Sequence, residues 1–435
     1  MSSSALAFSK NKSELDSGTS RDPATHFDML DVSLDASRVV QKLNDLADKM
    51  KPSSSSKPII KLSIGDPTVD GNLTPPETLK EDLIEIIRSD MYNGYPPVLG
   101  YDETRQSVAE YCRGFCKTPE RKALIDWNNV IMTSGVSHGI ELAIAGLCNP
   151  GDCILVPQPC FPHYQTVCER YRVECQAYPL DAKRNWQCNL ERAAQLRTPR
   201  TRFVVIINPS NPCGSNYTRA HLEEILTFCD THKLGLLSDE IYAEMVFEGP
   251  PFTSVADFDT RVPRVVLSGA SKWYVCPGWR IGWAVLIDPE GVAQGWLRGM
   301  DRLAQLICGP SSICQVAVGR ELLRKSPKRT EEVCQTLRDG LKVFERLLEH
   351  DIGISFCNPC AAIFIMLCIN YDYFKDISSD MEFYEKLLDE ENVQVVPGEI
   401  FGTTGFVRAT ISRPKPILNE AVDRIILFCE RHKRS

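Results

Sequence analysis

One lysine in this chain lies in a setting that would change its chemistry. Lys272 follows the apolar run Val265–Leu267 and the small residues Ser268–Ser271. A lysine at the end of a buried strand is desolvated, which lowers the pKa of its amine and makes it a nucleophile for carbonyl compounds. A surface lysine in a loop is the ordinary alternative. The small neighbours favour a ligand site, because they let the backbone come close to a bound molecule.

A fixed cation follows this lysine eight residues later. Arg280 lies in the segment VCPGWRIGW, and its planar guanidinium is suited to binding a phosphate. A nucleophilic amine beside a phosphate site matches the needs of pyridoxal 5'-phosphate (PLP), which proteins bind as an imine. The pair Lys272 and Arg280 therefore indicates a PLP site.

The composition narrows the class of protein. The chain has 435 residues, of which 43% are hydrophobic, so a large core in one or two domains is expected. The net charge of −8 argues against nucleic-acid binding, and the absence of a run of 18 apolar residues predicts no membrane span. The 18 cysteines are scattered through apolar segments and no signal peptide is evident, which favours reduced thiols in a cytoplasmic protein. The only CxxC, Cys357–Cys360, has no companion ligands, so no metal site is expected.

Short apolar runs alternate with helical patterns through the middle of the chain. The runs are Val130–Met132, Cys153–Val156, Phe203–Ile207, Leu234–Leu237, Val265–Leu267 and Trp283–Ile287. Runs that are apolar on both faces predict strands covered by helices on both sides, as in a mostly parallel sheet. Ligands bind such sheets at the carboxyl ends of the strands. From about Ser326 the composition changes, which predicts a second, smaller α+β domain.

The turns after the first two runs could bind a cofactor. The turn after the first run comprises Ser134, Gly135, Val136 and Ser137 and leads into a helical pattern. A helix N-terminus offers free backbone N–H groups to an anion, although many strand–helix turns have this composition without binding one. Phe161 follows the second run and could lie flat on an aromatic ring, but ordinary packing explains it equally well.

Two later turns add an amide, a carboxylate and a phenol. Asn211 begins the second of two Asn-Pro pairs around a turn, which would hold its amide in a fixed place at a strand end. Asp239 follows the apolar run Leu234–Leu237, where a carboxylate is costly unless it has a partner. A protonated pyridine nitrogen would be such a partner, and Tyr242 could donate to a ring hydroxyl oxygen. A salt-bridged structural aspartate is the alternative.

Together, these motifs resemble those of the class I aminotransferases, PLP enzymes of the aspartate-aminotransferase fold. The segments that carry the resemblance are KLSIGDPT, NGYPPVLGY, TSGVSHGIELAI, NPSNPCGSN, LLSDEIYAEMVF and VCPGWRIGW. The resemblance implies an α/β fold, with a mostly parallel seven-stranded sheet in a large PLP-binding domain at 76–325. A small α+β domain would follow at 326–435. Residues 31–75 would form an arm and part of the small domain, and residues 1–30 a disordered tail.

The resemblance also implies roles for individual residues. Lys272 would form the imine with PLP and act as a catalytic residue together with Asp239 and Tyr242. The remaining cofactor-binding residues would be Tyr95, Ser134, Gly135, Val136, Ser137, Phe161, Asn211 and Arg280. The substrate-binding residues would be Arg38, Gly65, Asn211 and Arg408. Arg408 would hold the α-carboxylate, and Tyr95 would reach the phosphate of a neighbouring subunit, which implies a homodimer.

Within the family the motifs resemble the tyrosine aminotransferases, which share a glycine at Gly269 where many relatives have a serine. The implied reaction moves the amino group of tyrosine, phenylalanine or tryptophan to pyruvate, 2-oxoglutarate or oxaloacetate by a ping-pong mechanism, as part of amino-acid catabolism. Leu306 and Ile307 stand where dicarboxylate-specific relatives have an arginine, so an apolar wall is expected. Acidic substrates are not excluded, because Arg302 or Arg38 could still reach the site and bind a second carboxylate. A C–S lyase or cyclopropane-forming synthase of the same fold, or a PLP-binding regulator without turnover, are the other interpretations.

Overall fold

The computed structural model describes residues 34–39, 46, 54–324 and 326–435. The predicted tail at 1–30 and most of the predicted arm before residue 54 lie outside the described residues. The helices are α1 (Leu34–Ser37), α2 (Glu77–Ser89), α3 (Asp102–Arg113), α4 (Pro119–Ala123), α5 (Gly135–Leu147), α6 (His163–Tyr171), α7 (Leu190–Leu196), α8 (Arg219–His232), α9 (Gln294–Ala304), α10 (Ser312–Leu322), α11 (Pro327–Glu345), α12 (Asp380–Glu391) and α13 (Lys415–Arg431). Among the described residues, no helix combines the length and the apolar character needed to cross a membrane.

The strands fall into one large sheet and two small ones. They are β1 (Ile60–Lys61), β2 (Val130–Thr133), β3 (Cys153–Gln158), β4 (Glu174–Asp181), β5 (Gln187–Cys188), β6 (Thr201–Ile207), β7 (Gly235–Asp239), β8 (Arg264–Gly269), β9 (Gly282–Ile287), β10 (Ile354–Phe356), β11 (Phe364–Ile369), β12 (Val393–Gln394), β13 (Val396–Pro397) and β14 (Phe406–Thr410). Every apolar run of the sequence analysis lies within a strand, except that Leu234 precedes β7 by one residue.

The large sheet has the order β2-β9-β8-β7-β6-β3-β4-β5. The pairs from β8 to β4 are parallel, whereas β9 runs antiparallel to both of its neighbours. The prediction of a mostly parallel sheet is therefore confirmed. The predicted count of seven strands differs by one, because the two-residue strand β5 adds an antiparallel edge to β4.

Helices cover both faces of this sheet. One face packs against α5, α6 and α9 through an apolar cluster that includes Ile140, Tyr164 and Trp296. The opposite face packs against α3, α8 and α10 within the larger cluster of the molecule. Helices α5 and α9 cross so closely that a Cβ added to Gly299 would overlap the carbonyl oxygen of Gly146. Two buried faces explain why the strands read as continuous apolar runs.

The N-terminal segment and the C-terminal residues form the second unit around small sheets. Strands β10, β11, β14 and β13 form an antiparallel sheet in that order, and β1 pairs in parallel with β12. The Thr410 backbone N–H donates to the carbonyl of Leu62 at 2.9 Å, which ties the segment after β1 to the end of β14. The chain before the large sheet thus packs with the chain after it.

The central strands bring the polar turn residues together. Strands β6, β7 and β8 are neighbours, with Ile207 opposite Asp239 and Asp239 opposite Leu267. Because parallel strands end at the same edge of the sheet, the turns that follow them meet there. Asn211 and Lys272, which follow β6 and β8, therefore lie on either side of Asp239.

Candidate active site

A cavity of about 700 Å³ opens at this edge of the sheet and receives residues from both units. The residues predicted for the site that line it are Gly65, Val136, Ser137, Phe161, Asn211, Asp239, Tyr242, Lys272, Arg280 and Arg408. A volume of this size is typical of small-molecule and cofactor sites. The predicted constellation thus lies around one space.

Lys272 is a desolvated amine at the base of the cavity. Its Nζ donates a hydrogen bond of 2.7 Å to the backbone carbonyl of Gly65. Desolvation lowers the pKa of Lys272 to about 8; the Arg408 and Arg280 cations act in the same direction, while Asp66 opposes them. With this pKa, about a tenth of the amine is neutral at pH 7, against far less than 1% for an ordinary lysine. The group is therefore suited to nucleophilic and base chemistry near neutral pH.

Asp239 is a buried carboxylate at the end of β7 with no cation in hydrogen-bond contact among the described residues. Its oxygens accept from the Ile241 backbone N–H at 3.2 Å and from the Tyr164 hydroxyl at 3.3 Å. Desolvation raises the pKa of Asp239 to about 6, although these two donors and Lys272 lower it. A carboxylate in such a place is matched by an N–H⁺ donor inside the cavity.

Tyr164 is a site residue that the sequence analysis did not single out. It lies in the first turn of α6, is fully buried, and orients the Asp239 carboxylate through its hydroxyl. The signal available in the sequence was its place three residues after Phe161. Only the packing of α6 against β7 shows what the hydroxyl contacts.

Arg408 is a buried guanidinium on β14 that faces the cavity without a carboxylate partner among the described residues. It lies 4.2 Å from the ring centre of Phe364 and 4.8 Å from that of Phe401. Its Nη1 donates to Asn211 Oδ1 at 3.0 Å and its Nη2 to the Ser63 carbonyl at 2.6 Å, whereas its buried Nε has no hydrogen-bond partner among the described residues. Desolvation lowers the pKa of Arg408 to about 10. A buried cation with spare donor capacity is a site for a carboxylate.

The turn before α5 and Arg280 form a cradle for an anion. Arg280 Nη2 donates to the Ser134 carbonyl at 3.1 Å, and its other contact is also a backbone carbonyl. Gly135 has φ = +74°, and an added Cβ would lie 2.5 Å from the guanidinium. Val136 and Ser137 line the cavity in the first turn of α5, where backbone N–H groups lack partners within the helix. Ser134 and Gly135 support this turn without lining the cavity.

Tyr242 and Phe161 supply the aromatic walls. Tyr242 is buried, desolvation raises its pKa well above the usual value, and its ring centre lies 5.9 Å from Lys272 Nζ. Its hydroxyl is therefore a proton donor, never a base, at physiological pH. Phe161 is half-buried on the opposite loop, where a flat aromatic ligand would meet it.

The departure from many relatives at Gly269 has a steric reason. Gly269 ends β8 opposite Gly282, and an added Cβ would lie 2.8 Å from the Ile281 carbonyl oxygen. No serine side chain fits between these two strands in this chain. Ser271, next to the lysine, does line the cavity, and Arg280 remains the main cation for an anion there.

Two predicted site residues lie on the surface of the single chain. Tyr95 is 91% exposed, and Arg38 is also exposed. Neither lines the cavity. Arg38 therefore does not reach the cavity of its own chain. Tyr95 was predicted to contact the phosphate of a neighbouring subunit, so its exposure on a single chain does not bear on that prediction.

Leu306 and Ile307, which were predicted to form an apolar wall, do not line the cavity of a single chain. Their side chains are 77% and 42% exposed, in the short helical turn that follows α9. The apolar lining comes instead from residues that the sequence analysis missed: Leu46, Ile59, Ile64, Ile140, Ile207, Phe364 and Val396. Their signal was weak, since each belongs to an ordinary apolar run.

A family model described as Aminotransferase class I and II matches residues 57–425, which includes the whole cavity apart from Leu46. The chain belongs to this family. It is an aminotransferase with the α/β fold of the aspartate aminotransferases. The predicted class I resemblance is thereby confirmed.

Other aminotransferases of known structure or name are similar over nearly the whole chain. Tyrosine aminotransferase of Mus musculus is 35% identical over 386 residues, which cover 88% of this chain and 83% of the mouse protein. The crystal structure of tyrosine aminotransferase from Leishmania infantum is 57% identical, with a TM-score of 0.92, covering 93% of this chain and 99% of that chain. Alanine aminotransferase from Pyrococcus furiosus is 30% identical, with a TM-score of 0.83, covering 92% and 100%.

Proposed function

We propose that this aminotransferase uses PLP to transfer the amino group of an aromatic L-amino acid to a 2-oxo acid. Tyrosine is the first donor, followed by phenylalanine and tryptophan, and the acceptors are pyruvate, 2-oxoglutarate or oxaloacetate. The observation that carries the proposal is one cavity holding the Lys272 amine, the buried Asp239 carboxylate and the Arg408 guanidinium. Two of the similar proteins named above are tyrosine aminotransferases, which supports the choice of donor.

The residues present fit PLP. Its phosphate suits the cradle of Arg280 and the α5 N-terminus, where Gly135 leaves space that any other side chain would fill. Asp239, buried without a cationic partner among the described residues, suits a protonated ring nitrogen. Phe161 would lie on the ring face, and Asn211 and Tyr242 would hold the ring oxygen. The aldehyde would react with the Lys272 amine.

When bound, PLP supplies an electron-poor ring that accepts the electron pair released at the substrate α-carbon. The residues of the chain do the remaining work. Lys272 Nζ would take the proton from the substrate α-carbon, because desolvation lowers its pKa to about 8. The Asp239 carboxylate would accept a hydrogen bond from a protonated ring nitrogen, and Tyr164 orients this carboxylate through its hydroxyl. Ping-pong kinetics would follow, because the amino donor leaves as its 2-oxo acid before the amino acceptor enters the same cavity.

Arg408 orients the substrate. Asn211 and the Ser63 carbonyl fix the guanidinium, and the rings of Phe364 and Phe401 exclude water from it. A substrate α-carboxylate would bind this group in a two-pronged way and bring its α-carbon near Lys272. Apolar residues such as Ile59 and Ile64 would then contact an aromatic side chain.

The proposal includes a homodimer in the cytoplasm that serves amino-acid catabolism. The exposed side chains of Met91, Tyr95 and Leu306 are candidates for an interface, because large exposed hydrophobic residues often mark one. The Ser312 hydroxyl donates to the Tyr92 carbonyl at 2.6 Å, which joins the two segments that carry them. Tyr95 would reach the phosphate in the partner's cavity from such a surface.

The decisive experiment is a panel of amino donors and acceptors. Protein saturated with PLP is mixed with tyrosine, phenylalanine, tryptophan or aspartate and each of the three acceptors, and the 2-oxo acid products are quantified by mass spectrometry. We expect 4-hydroxyphenylpyruvate from tyrosine, and none from a Lys272→Ala control. Release of ammonia or a thiol without amino transfer would favour a lyase, and bound PLP without any product would favour a regulator.

A further inference from the structure

The cavity holds one cation more than the proposed function uses. Its cationic lining residues are Lys61, Lys272, Arg280 and Arg408. Lys272 is assigned to the aldehyde, Arg280 to the phosphate and Arg408 to the substrate α-carboxylate. Asp239 is the single carboxylate among the lining residues of the described chain, and the proposed function assigns it to the ring nitrogen. Lys61 is left without an anion.

The surroundings of Lys61 do not supply that anion. The neighbouring cations are paired, since Lys57 contacts Glu391 and Arg413 contacts Asp70 at 2.6 Å. Lys61 forms no ion pair with any carboxylate in the part of the chain that the structure describes. Its side chain is exposed to the cavity and to solvent. Within the described chain, Lys61 is therefore an unpaired cation in the wall of the cavity, beside the site assigned to the α-carboxylate.

The extended backbone places Lys61 on the face of its segment that lines the cavity. Ile59, Lys61 and Ser63 line the cavity, whereas the alternate residues Ile60 and Leu62 are buried, with 5% and 0% exposed. Alternation of this kind places the three on one face of an extended segment. Ser63 is also the residue whose carbonyl accepts from Arg408 Nη2. Lys61 therefore lies two residues from the α-carboxylate site on the same face.

The spacing suits a five-carbon dicarboxylate. Two residues of extended chain span about 7 Å. The two carboxyl carbons of an extended five-carbon diacid are about 5 Å apart. A lysine side chain can bridge the remaining difference because its four-carbon stem is flexible. The three carbons of pyruvate carry no second anion for it to meet.

We propose that Lys61 is the residue that binds the distal carboxylate of a dicarboxylic amino acceptor such as 2-oxoglutarate. This inference rests on the proposed function, in which Arg408 holds the α-carboxylate. The same cavity accepts an aromatic donor, because the apolar stem of Lys61 can lie along a ring while its ammonium turns to water. One flexible cation thus serves two unlike side chains in the two half-reactions.

The test compares an acid with its neutral amide. The variant Lys61→Met keeps the length of the stem and removes the charge, and Lys328→Met, at a lysine that is 91% exposed, is the matched control. Single-turnover kinetics start from enzyme carrying the amino group. The acceptors are 2-oxoglutarate, 2-oxoglutaramate and pyruvate, and kcat/KM is measured for each.

We expect Lys61→Met to lower kcat/KM for 2-oxoglutarate about 10- to 100-fold, mainly through KM, because a charge-assisted hydrogen bond is lost. The amide, pyruvate and tyrosine should stay within about twofold, Lys61→Arg should recover most of the loss, and Lys328→Met should behave like the wild type. An equal loss for acid and amide, a change confined to tyrosine, or a wild-type enzyme that does not prefer the acid overturns the proposal. Failure of the proposed function is seen separately, as a wild type that transaminates no aromatic donor; the acceptor ratio is then measured with whichever donor the panel identifies.

Discussion

Asp239 should make the ligand-free protein less stable than an uncharged isostere would. The substitution Asp239→Asn removes the charge, while its amide can still accept from the Ile241 N–H and contact the Tyr164 hydroxyl. Desolvation raises the pKa of Asp239 from 3.8 to about 6. This shift of about two units corresponds to about 3 kcal/mol, since each unit is worth about 1.4 kcal/mol.

The sign follows from proton binding. The folded protein holds the Asp239 proton more strongly than the unfolded chain does, so stability falls as the pH rises from about 4 to about 6 and stays lower above that. The amide that replaces the carboxyl group in the variant does not titrate. Ligand-free Asp239→Asn should therefore match the wild type near pH 4 and be more stable by up to about 3 kcal/mol at pH 7 to 8.

Urea denaturation of PLP-free protein at a series of pH values measures this difference. Asp257→Asn is the matched control, since Asp257 is equally buried but accepts from Arg219 at 2.7 Å and Arg121 at 3.1 Å. Burial alone would raise the pKa of Asp257, but the Lys117 backbone N–H and the two arginines lower it. The ionised Asp257 therefore stabilises the folded protein at pH values above the pKa of an aspartate in the unfolded chain, and this stabilisation is lost as the pH falls. Asp257→Asn should therefore be less stable than the wild type at pH 7.

The holoenzyme should show the opposite order for Asp239. PLP should stabilise the wild type more than Asp239→Asn, and the variant should lose at least about 100-fold in turnover, because the ring nitrogen loses its anionic partner. A ligand-free variant that is less stable than the wild type at pH 7 to 8, with a difference that does not vary with pH, would refute this reasoning.

Three further substitutions separate the roles of the cavity residues. Lys272→Ala should abolish amino transfer while its circular dichroism spectrum stays that of the wild type; near-normal turnover would contradict the role of Lys272 in proton transfer. Arg408→Lys should raise KM for donor and acceptor alike by about tenfold or more, because a lysine cannot hold a carboxylate with two parallel bonds; steady-state kinetics with an unchanged KM would contradict this. Tyr164→Phe should lower kcat/KM by about 3- to 30-fold and raise the pKa of Asp239, because one hydrogen bond to the carboxylate is lost; an unchanged pH–rate profile would show that Tyr164 does not act through Asp239.

The sequence predicted the buried parts of the fold best. The run Phe203–Ile207 became most of β6 because a strand buried on both faces reads as an unbroken apolar segment. Strand β4 was missed because it lies near the sheet edge, alternates exposed and buried residues, and contains Pro179.

The site residues with distinctive chemistry were predictable, and those with ordinary chemistry were not. Lys272 follows an apolar run, where a charge is unusual, and Arg408 was assigned through the resemblance to the class I aminotransferases. Tyr164 and Phe364 are common core residues in sequence, and only the packing shows that one contacts Asp239 and the other Arg408. Leu306 was placed at the cavity by its position in the chain, yet its side chain lies on the surface of the single subunit.

The most direct test of the central claim joins the cofactor, the lysine and the substrate in one measurement. PLP-loaded protein is mixed with tyrosine and no acceptor, and the released product is quantified. A parallel sample that receives no tyrosine is reduced with borohydride and digested for mass spectrometry. We predict one equivalent of 4-hydroxyphenylpyruvate per chain and a phosphopyridoxyl group on the peptide containing Lys272. A label on another lysine, or no oxo acid from fully loaded protein, would contradict the account.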